Sequence, residues 1–293
     1  MQWTGATIPY KPGKNDLLEA TRRVGAVINA GGIVAIAGEG RIGAIEQQLL
    51  RSELLALEPG EVGPEPLARG VGEVGAHVVE LTNMVKPDVF VPGNWDYAYG
   101  PEVFRQRMLE LNHPVAAINL YDEAKRQRLF APSVIKTVNG VKVAVVGVTS
   151  VIVQSSMAPA YSKGLRFGFK EELQQEVDRL RAAGAQIVLL ATELGLAQEI
   201  KLAREIKGVD FILGGHTHER TTAPITDGGT PVIQAGSEGS FLGRVKLLVR
   251  DDRVVGHEHE LLEVSPERYK PDAKVARIVA EVRRPYEAQL NKQ

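Results

Sequence analysis

"FILGGHTHER", residues 211–220, sets a short apolar run, a Gly-Gly turn and two histidines, His216 and His218, in immediate succession. The apolar run reads as a strand and the glycines as the turn that ends it. Two imidazoles one residue apart, just beyond a sharp turn, can enter a single cleft. Imidazole is a common ligand of divalent transition metals. A lone loop histidine reads as a surface residue, whereas a G-H-x-H pair after a strand reads as a ligand pair. What decides the matter is whether other strands end in loops that carry partner ligands.

Three other apolar runs do. "IVAIAGEGRIG" (33–43) ends in a glycine loop with Glu39 and Arg41, "PDVFVPGNWDYAYG" (87–100) in a loop with Asn94, and "AQIVLLATELG" (185–195) in a loop with Glu193. In an open α/β sheet, ligands bind outside the carboxyl ends of the strands. Four loops are therefore expected to converge on one site.

Between the strands, helical spacing recurs in residues 15–32, 73–85, 101–112, 170–184 and 197–208. "SVIKTVNGVKVAVVGVT" (133–149) predicts a hairpin about Asn139-Gly140. "TPVIQAGS" (230–237) and the long run 242–264, which turns at Asp251-Asp252, read as late antiparallel strands. A last helix opens at Pro271-Asp272 and is interrupted or ended near Pro285. His257 and His259 read as an exposed strand face, and His77 and His113 as lone surface histidines.

Composition narrows the function classes. The 293 residues are 44% hydrophobic, enough for a sizeable core, and contain no cysteine, which excludes disulfides, thiolate metal sites and cysteine nucleophiles. Lys+Arg is 35 against Asp+Glu 36, with no basic stripe, so no nucleic-acid partner is expected. No apolar run approaches the ~18 residues of a membrane span, so no membrane partner is expected either. The start, "MQWTGATIPYKPGKNDLL", lacks the basic and apolar regions of a signal peptide. A cytoplasmic location is expected if Met1 is the native start, and a periplasmic one if an upstream signal has been removed.

"GNWDYAYG" followed by "GGHTH" resembles the calcineurin-like metallophosphoesterases, within them the 5′-nucleotidase branch. "AINLYDE", "NGVKVAVVGVTS", "GVDFILGGHTHERT" and "VIQAGSEGSFLGRVKL" extend the likeness over roughly residues 15–291. The tryptophan after Asn94 is similar to the SoxB-like thiosulfohydrolases. The resemblance implies an α/β fold, a four-layer α/β/β/α sandwich with two mixed β-sheets. It also implies a metallophosphoesterase-like domain over residues 1–265, and at 266–293 a helix like the family's interdomain linker, without the second domain.

By the same resemblance His216 matches a ligand of the family's second metal, His218 one of the first, and Asn94 the amide ligand of the second. Glu39 falls where the family has its bridging aspartate, and Glu193 where it has a metal-binding histidine. Asp96 matches an acidic residue expected to orient the loop. With Asn94 and Arg41 it completes the candidate catalytic groups. Arg41 can bind an anionic substrate, fill the charge of a missing metal, or simply be solvated. Trp95, Tyr97 and Tyr99 can pack the loop or stack a ligand.

The departures shape the expected function. Trp95 stands where family phosphoesterases have a histidine that serves the leaving group, and the D-x-H motif is not found before the first helix. Two carboxylates, two imidazoles and an amide make a cage for one divalent ion (Mn, Fe or Zn), whereas a two-metal clamp about 3.5–4 Å across lacks its ligands. The expected function is hydrolysis of a small anionic ester, phosphate or sulfate/thiosulfonate, by a metal-activated water. The alternative is a non-catalytic protein of the same fold with a binding or assembly role. A trimmed upstream D-x-H is a third reading. An apolar stripe on the last helix (Val275, Ile278, Val279, Val282) marks a homodimer contact if exposed, or burial against its own domain.

Overall fold

Asn139 and Gly140 both take positive φ, 50° and 81°. A two-residue turn of that kind matches the twist of the strands it joins. It therefore closes the expected hairpin between Ser133–Val138 (β5) and Val141–Val148 (β6), paired from Val138↔Val141 to Ser133↔Val146. The computed structural model describes residues 35–37, 76, 78–168, 171–227, 229–237, 239–265, 267 and 269–284. Glu39, Arg41, His77, Pro285 and the expected first helix lie outside them.

Among the described residues, β6 is the inner neighbour of Ile187–Thr192 (β8), followed by Phe211–Gly214 (β9) and Val232–Gln234 (β10), in the order β10-β9-β8-β6-β5. All of these pairs except β5–β6 are parallel. Within this sheet the strand at 230–237, expected to be antiparallel, runs parallel to β9, and only its other edge makes antiparallel bridges, Arg220↔Ala235 and Ile225↔Val232. Alternation marks a strand but not its direction, and β10 takes its direction from β9. Beyond it, Phe241–Arg250 (β11) and Arg253–Glu263 (β12) form the expected antiparallel hairpin, turning through Asp251 and Asp252 at φ 49° and 61°.

The side chains of the five-stranded sheet divide by parity. Ala144, Val146, Val148, Val188, Leu190 and Ile212 face Leu173, Val177 and Leu180 of the helix Glu171–Ala182, and Leu202 and Ala203 of the helix Leu196–Glu205. Val143, Val145, Ile187, Leu189, Ala191 and Phe211 face the other way. They pack against Val89 and Val91 of Val89–Val91 (β2) and, less deeply, Val245, Leu247 and Val254 of the late hairpin. β2 itself pairs in parallel with Ala35–Ala37 (β1). Helices, sheet, sheet is thus the layering of the mixed α/β fold, each side chain buried between layers stabilising it by about 1.5–3 kcal/mol. Leu120–Asp122 (β3), Gln127–Arg128 (β4) and Leu165–Phe167 (β7) add a small antiparallel sheet.

The last helix, Ala273–Arg283, starts where Asp272 accepts hydrogen bonds from the Lys274 and Val275 backbone N–H groups. Its stripe does not supply the exposed dimer contact. Val275, Ile278 and Val279 are buried with Leu81 from the helical residues 78–85, and Met84 and Val282 pack at the margin. His257 is exposed but sets its ring edge-on against Phe211, and His259 is half-buried, so their strand face is only partly solvent-facing. No described helix is long and apolar enough to cross a membrane.

One close crossing positions the site. Residues 116–118 pass over β6, where Ile118 N donates to Gly147 O at 2.8 Å. A Cβ on Gly147 would overlap the Ala116 backbone carbonyl. Gly147→Ala is therefore expected to lower stability by about 1–3 kcal/mol. A leftward shift of the urea midpoint with unchanged slope is the readout.

Candidate active site

Parallel register brings the strand ends level. Val148 pairs with Thr192, Thr192 with Gly214, and Gly214 with Gln234. The residues that follow, Thr149, Glu193 and Gly215-His216, emerge together at the carboxyl edge. Asn94 arrives there from β2, the neighbouring layer.

The Asn94 loop is a 3-10 turn, Asn94–Tyr97. Gly93 N donates to Asp96 Oδ2 at 2.7 Å, so the Asp96 carboxylate closes its own turn. Thr149 Oγ1 donates to Pro92 O at 2.6 Å and lies 2.8 Å from Tyr97 OH. A carbonyl can only accept, and a threonine has one hydroxyl proton, so Tyr97 donates to Thr149. Asn119 holds Thr149 from the other side through its Oδ1 and Nδ2, both at 2.9 Å. Tyr97 also stacks on Phe104, with centroids 4.2 Å apart. Burial pushes the Tyr97 phenol well above its ordinary pKa, and the nearby carboxylates of Asp96 and Glu193 add to this against the Thr149 bond. Tyr97 thus serves packing beneath the loop.

Glu193 is fully buried, and its N–H donates to Val148 O at 2.9 Å. Its Oε2 lies 3.5 Å from His216 Nδ1. His216 and His218 both occupy left-handed backbone, at φ 76° and 59°. That alternation is what turns the chain so sharply after β9. Gly195, at φ 86°, leaves room for it: a Cβ there would stand 2.7 Å from Thr217 Cγ2 and 3.3 Å from His216 Cδ2.

Beneath this loop lies a network that the spacing of ligands did not reveal. Glu199, fully buried on the 196–205 helix, accepts from Thr192 Oγ1 at 2.6 Å, Gln234 Nε2 at 2.8 Å and Gly215 N at 3.2 Å. Gln234 Nε2 also donates to Gly215 O at 2.6 Å, and its Oε1 accepts from Thr217 Oγ1 at 3.2 Å and Glu219 N at 3.0 Å. Burial raises the Glu199 pKa above the usual carboxylate range, while these donors pull the other way. The signal was in the sequence: Glu199, Leu202, Ala203 and Ile206 follow the i, i+3, i+4, i+7 rule, so a carboxylate occupies the apolar stripe.

Donor chemistry fits a cation. Asn94 is 4% exposed, and its Oδ1 meets no hydrogen-bond donor among the described residues. A buried acceptor of this kind calls for an ion or a water. Two donor atoms each about 2.1 Å from a shared ion lie about 3.0–3.4 Å apart, so the 3.5 Å Glu193–His216 spacing accommodates one. Among the described residues no cluster of three or more histidine, aspartate or glutamate side chains is assembled for a metal. His218 stands two residues from His216, and Glu39 lies outside the described residues.

No family model matches the chain. Protein UshA of Yersinia enterocolitica is 25% identical to it over 214 residues, 62% of this chain. The chain spans 39% of UshA's length, and 36% and 40% of two 5′-nucleotidases it also matches. Among solved structures, the sulfate thiohydrolase SoxB of Thermus thermophilus, in complex with glycerol, superposes with a TM-score of 0.70 at 26% identity, covering 87% of this chain and 48% of that one. The calcineurin-like phosphoesterase YfkN of Bacillus subtilis superposes with a TM-score of 0.70 at 15% identity, covering 96% and 92%, a likeness of fold.

Thr149→Val keeps the shape of the loop support and removes its hydroxyl. Tyr97 OH and Pro92 O would then be buried without a partner, each at a cost of about 1–3 kcal/mol. Stability is expected to fall by about 2–6 kcal/mol, measured by chemical denaturation.

Proposed function

We propose, from its likeness to the 5′-nucleotidase/SoxB branch of the calcineurin-like metallophosphoesterases, that the chain is a metal-dependent hydrolase of a small anionic ester. The observation that carries the reading is the meeting of Glu193 with His216 at the edge where Asn94 presents a buried amide oxygen without a donor among the described residues. The resemblance to the metallophosphoesterases implies a divalent metal. Here Asn94, Glu193, His216 and His218, with Glu39, would hold one such ion, of Mn, Fe or Zn type. When bound, a divalent ion supplies Lewis-acid polarisation of an anionic ester and acidifies water.

The chain's own residues divide the remaining work. Glu193 sets a buried carboxyl group 3.5 Å from the His216 imidazole. Asp96 fixes the turn that aims Asn94, and Thr149 with Tyr97 holds that turn against β6. Arg41, two residues after Glu39, is the group proposed to grip the substrate anion. Trp95 stands where phosphoesterases of the family carry a histidine for the leaving group. The proposed substrate class therefore extends from phosphate esters to sulfate and thiosulfonate esters, and a thiosulfonate in particular releases a thiolate, which needs less protonation than an alkoxide. Trp95 also favours a second reading, a non-catalytic protein that keeps the fold for binding or assembly.

Elemental analysis of the purified full chain, beside His216→Ala, tests the first reading. About one equivalent of a transition metal is expected in the parent and a large loss in the variant. Parallel assays with a nucleotide, a phosphodiester and a thiosulfonate, each with added Mn²⁺, Fe²⁺ or Zn²⁺, are expected to give one turned-over substrate class. A parent that takes up metal and turns over none of them supports the binding role. A parent that takes up no metal ends the hydrolase reading.

A further inference from the structure

Glu199 is the one fully buried carboxylate of the described residues that the proposed chemistry leaves unused. Its position follows from the sheet register. Thr192, Gly214 and Gln234 occupy one rung across β8, β9 and β10, and residues on one rung of a parallel sheet face the same side. That side is the helix layer, where Ile212 and Val232 also point. The central residue of the rung has no side chain. Into that gap the 196–205 helix lowers the Glu199 carboxylate, so closely that a Cβ on Gly214 would overlap it. The flanking side chains then reach inward to the same group, Thr192 from one side and Gln234 from the other.

We propose that Glu199 is the positioning residue of the site, tying the end of β8 to the end of β9 and so setting the Glu193–His216 pair. Three features of the geometry carry this. Thr192 immediately precedes Glu193, and Gly215 immediately precedes His216, and Glu199 Oε1 accepts from both, at 2.6 and 3.2 Å. Gln234, held by Oε2, grips both faces of the Gly215 turn, taking Gly215 O on its amide nitrogen and Thr217 Oγ1 and Glu219 N on its oxygen. The segment so clamped contains two non-glycine residues in left-handed backbone, which revert to ordinary backbone unless their surroundings hold them. The two innermost bonds, from Thr192 Oγ1 and Gln234 Nε2 to Glu199, are buried, so water cannot replace them at low cost.

Glu199 touches neither substrate nor metal ligand atoms in this account. Its effect is on the angle and spacing at which Glu193 and His216 meet. Partners of that kind typically alter metal affinity by 10–100-fold when removed. The metal arm of the test rests on the hydrolase reading above; the backbone arm does not.

The experiment uses the full chain and two variants, Glu199→Gln and Gln234→Leu. Hydrogen exchange read by mass spectrometry follows peptides covering residues 213–219, with β6 and β8 peptides as internal references. Both variants are expected to exchange about tenfold faster or more at 213–219 while the references stay slow. Co²⁺ titration followed by visible absorption is expected to show a changed ligand-field spectrum and affinity weakened about 10–100-fold. Unchanged exchange at 213–219 in both variants overturns the proposal. So does exchange that rises evenly across the whole sheet, which would make Glu199 a packing residue without a local task. If the parent itself binds no Co²⁺, the hydrolase reading falls, and the exchange contrast alone decides the positioning role.

Discussion

Backbone hydrogen bonds between β6, β8, β9 and β10 put Val148, Thr192, Gly214 and Gln234 on a single rung, and everything at the site follows from that alignment. Side chains alternate along a strand, so a slip of one residue would exchange the two faces. Thr192 would leave Glu199, and Glu193 would turn from the cleft into a helix-facing layer of valine and leucine. The register is held by those same faces. Val188, Leu190 and Ile212 fit the helices, and Ile187, Leu189 and Phe211 fit the second sheet, so only one alignment buries both sets.

Two buried carboxylates solve their desolvation in different ways. Glu199 is surrounded by neutral donors, a hydroxyl, an amide and a backbone N–H, which suits a group whose task is to brace. Glu193 faces an imidazole, and beyond it the cleft. An imidazole can carry a proton or coordinate a metal. The Asn94 loop adds an oxygen dipole and no charge, and its geometry is settled from below by Asp96, Tyr97 and Thr149 rather than by the site itself.

The sequence made much of this fold legible because its turns are chemically explicit. Asn139-Gly140 and Asp251-Asp252 adopt the positive φ that their residue types tolerate, and Asp272 caps the helix it precedes. The strand-to-loop pattern at Asn94, Glu193 and His216 was legible for the same reason, since each loop follows a short apolar run. The direction of β10 was not, because three residues of alternation carry no sign, and pairing with β9 supplies it. Glu199 and Gln234 were missed because a ligand search asks which residues reach the cleft, and these two reach away from it. A charge in an apolar helix stripe, opposite a glycine at a strand end, is the pattern that marks such a brace.

The left-handed backbone at His216 and His218 bears on how the chain can drift over generations. Left-handed geometry costs a residue with a Cβ about 1–2 kcal/mol, and glycine escapes that cost. Substitution that answered to stability alone would therefore empty both positions of their rings. A lineage that keeps imidazoles there is retaining them against a standing bias, and one that loses the site's purpose should shed them before it sheds the strands beneath. The two positions act as a gauge: in descendants of this chain, glycine or asparagine at 216 or 218 above an intact Glu199–Gln234 clamp would mark a cleft no longer in use.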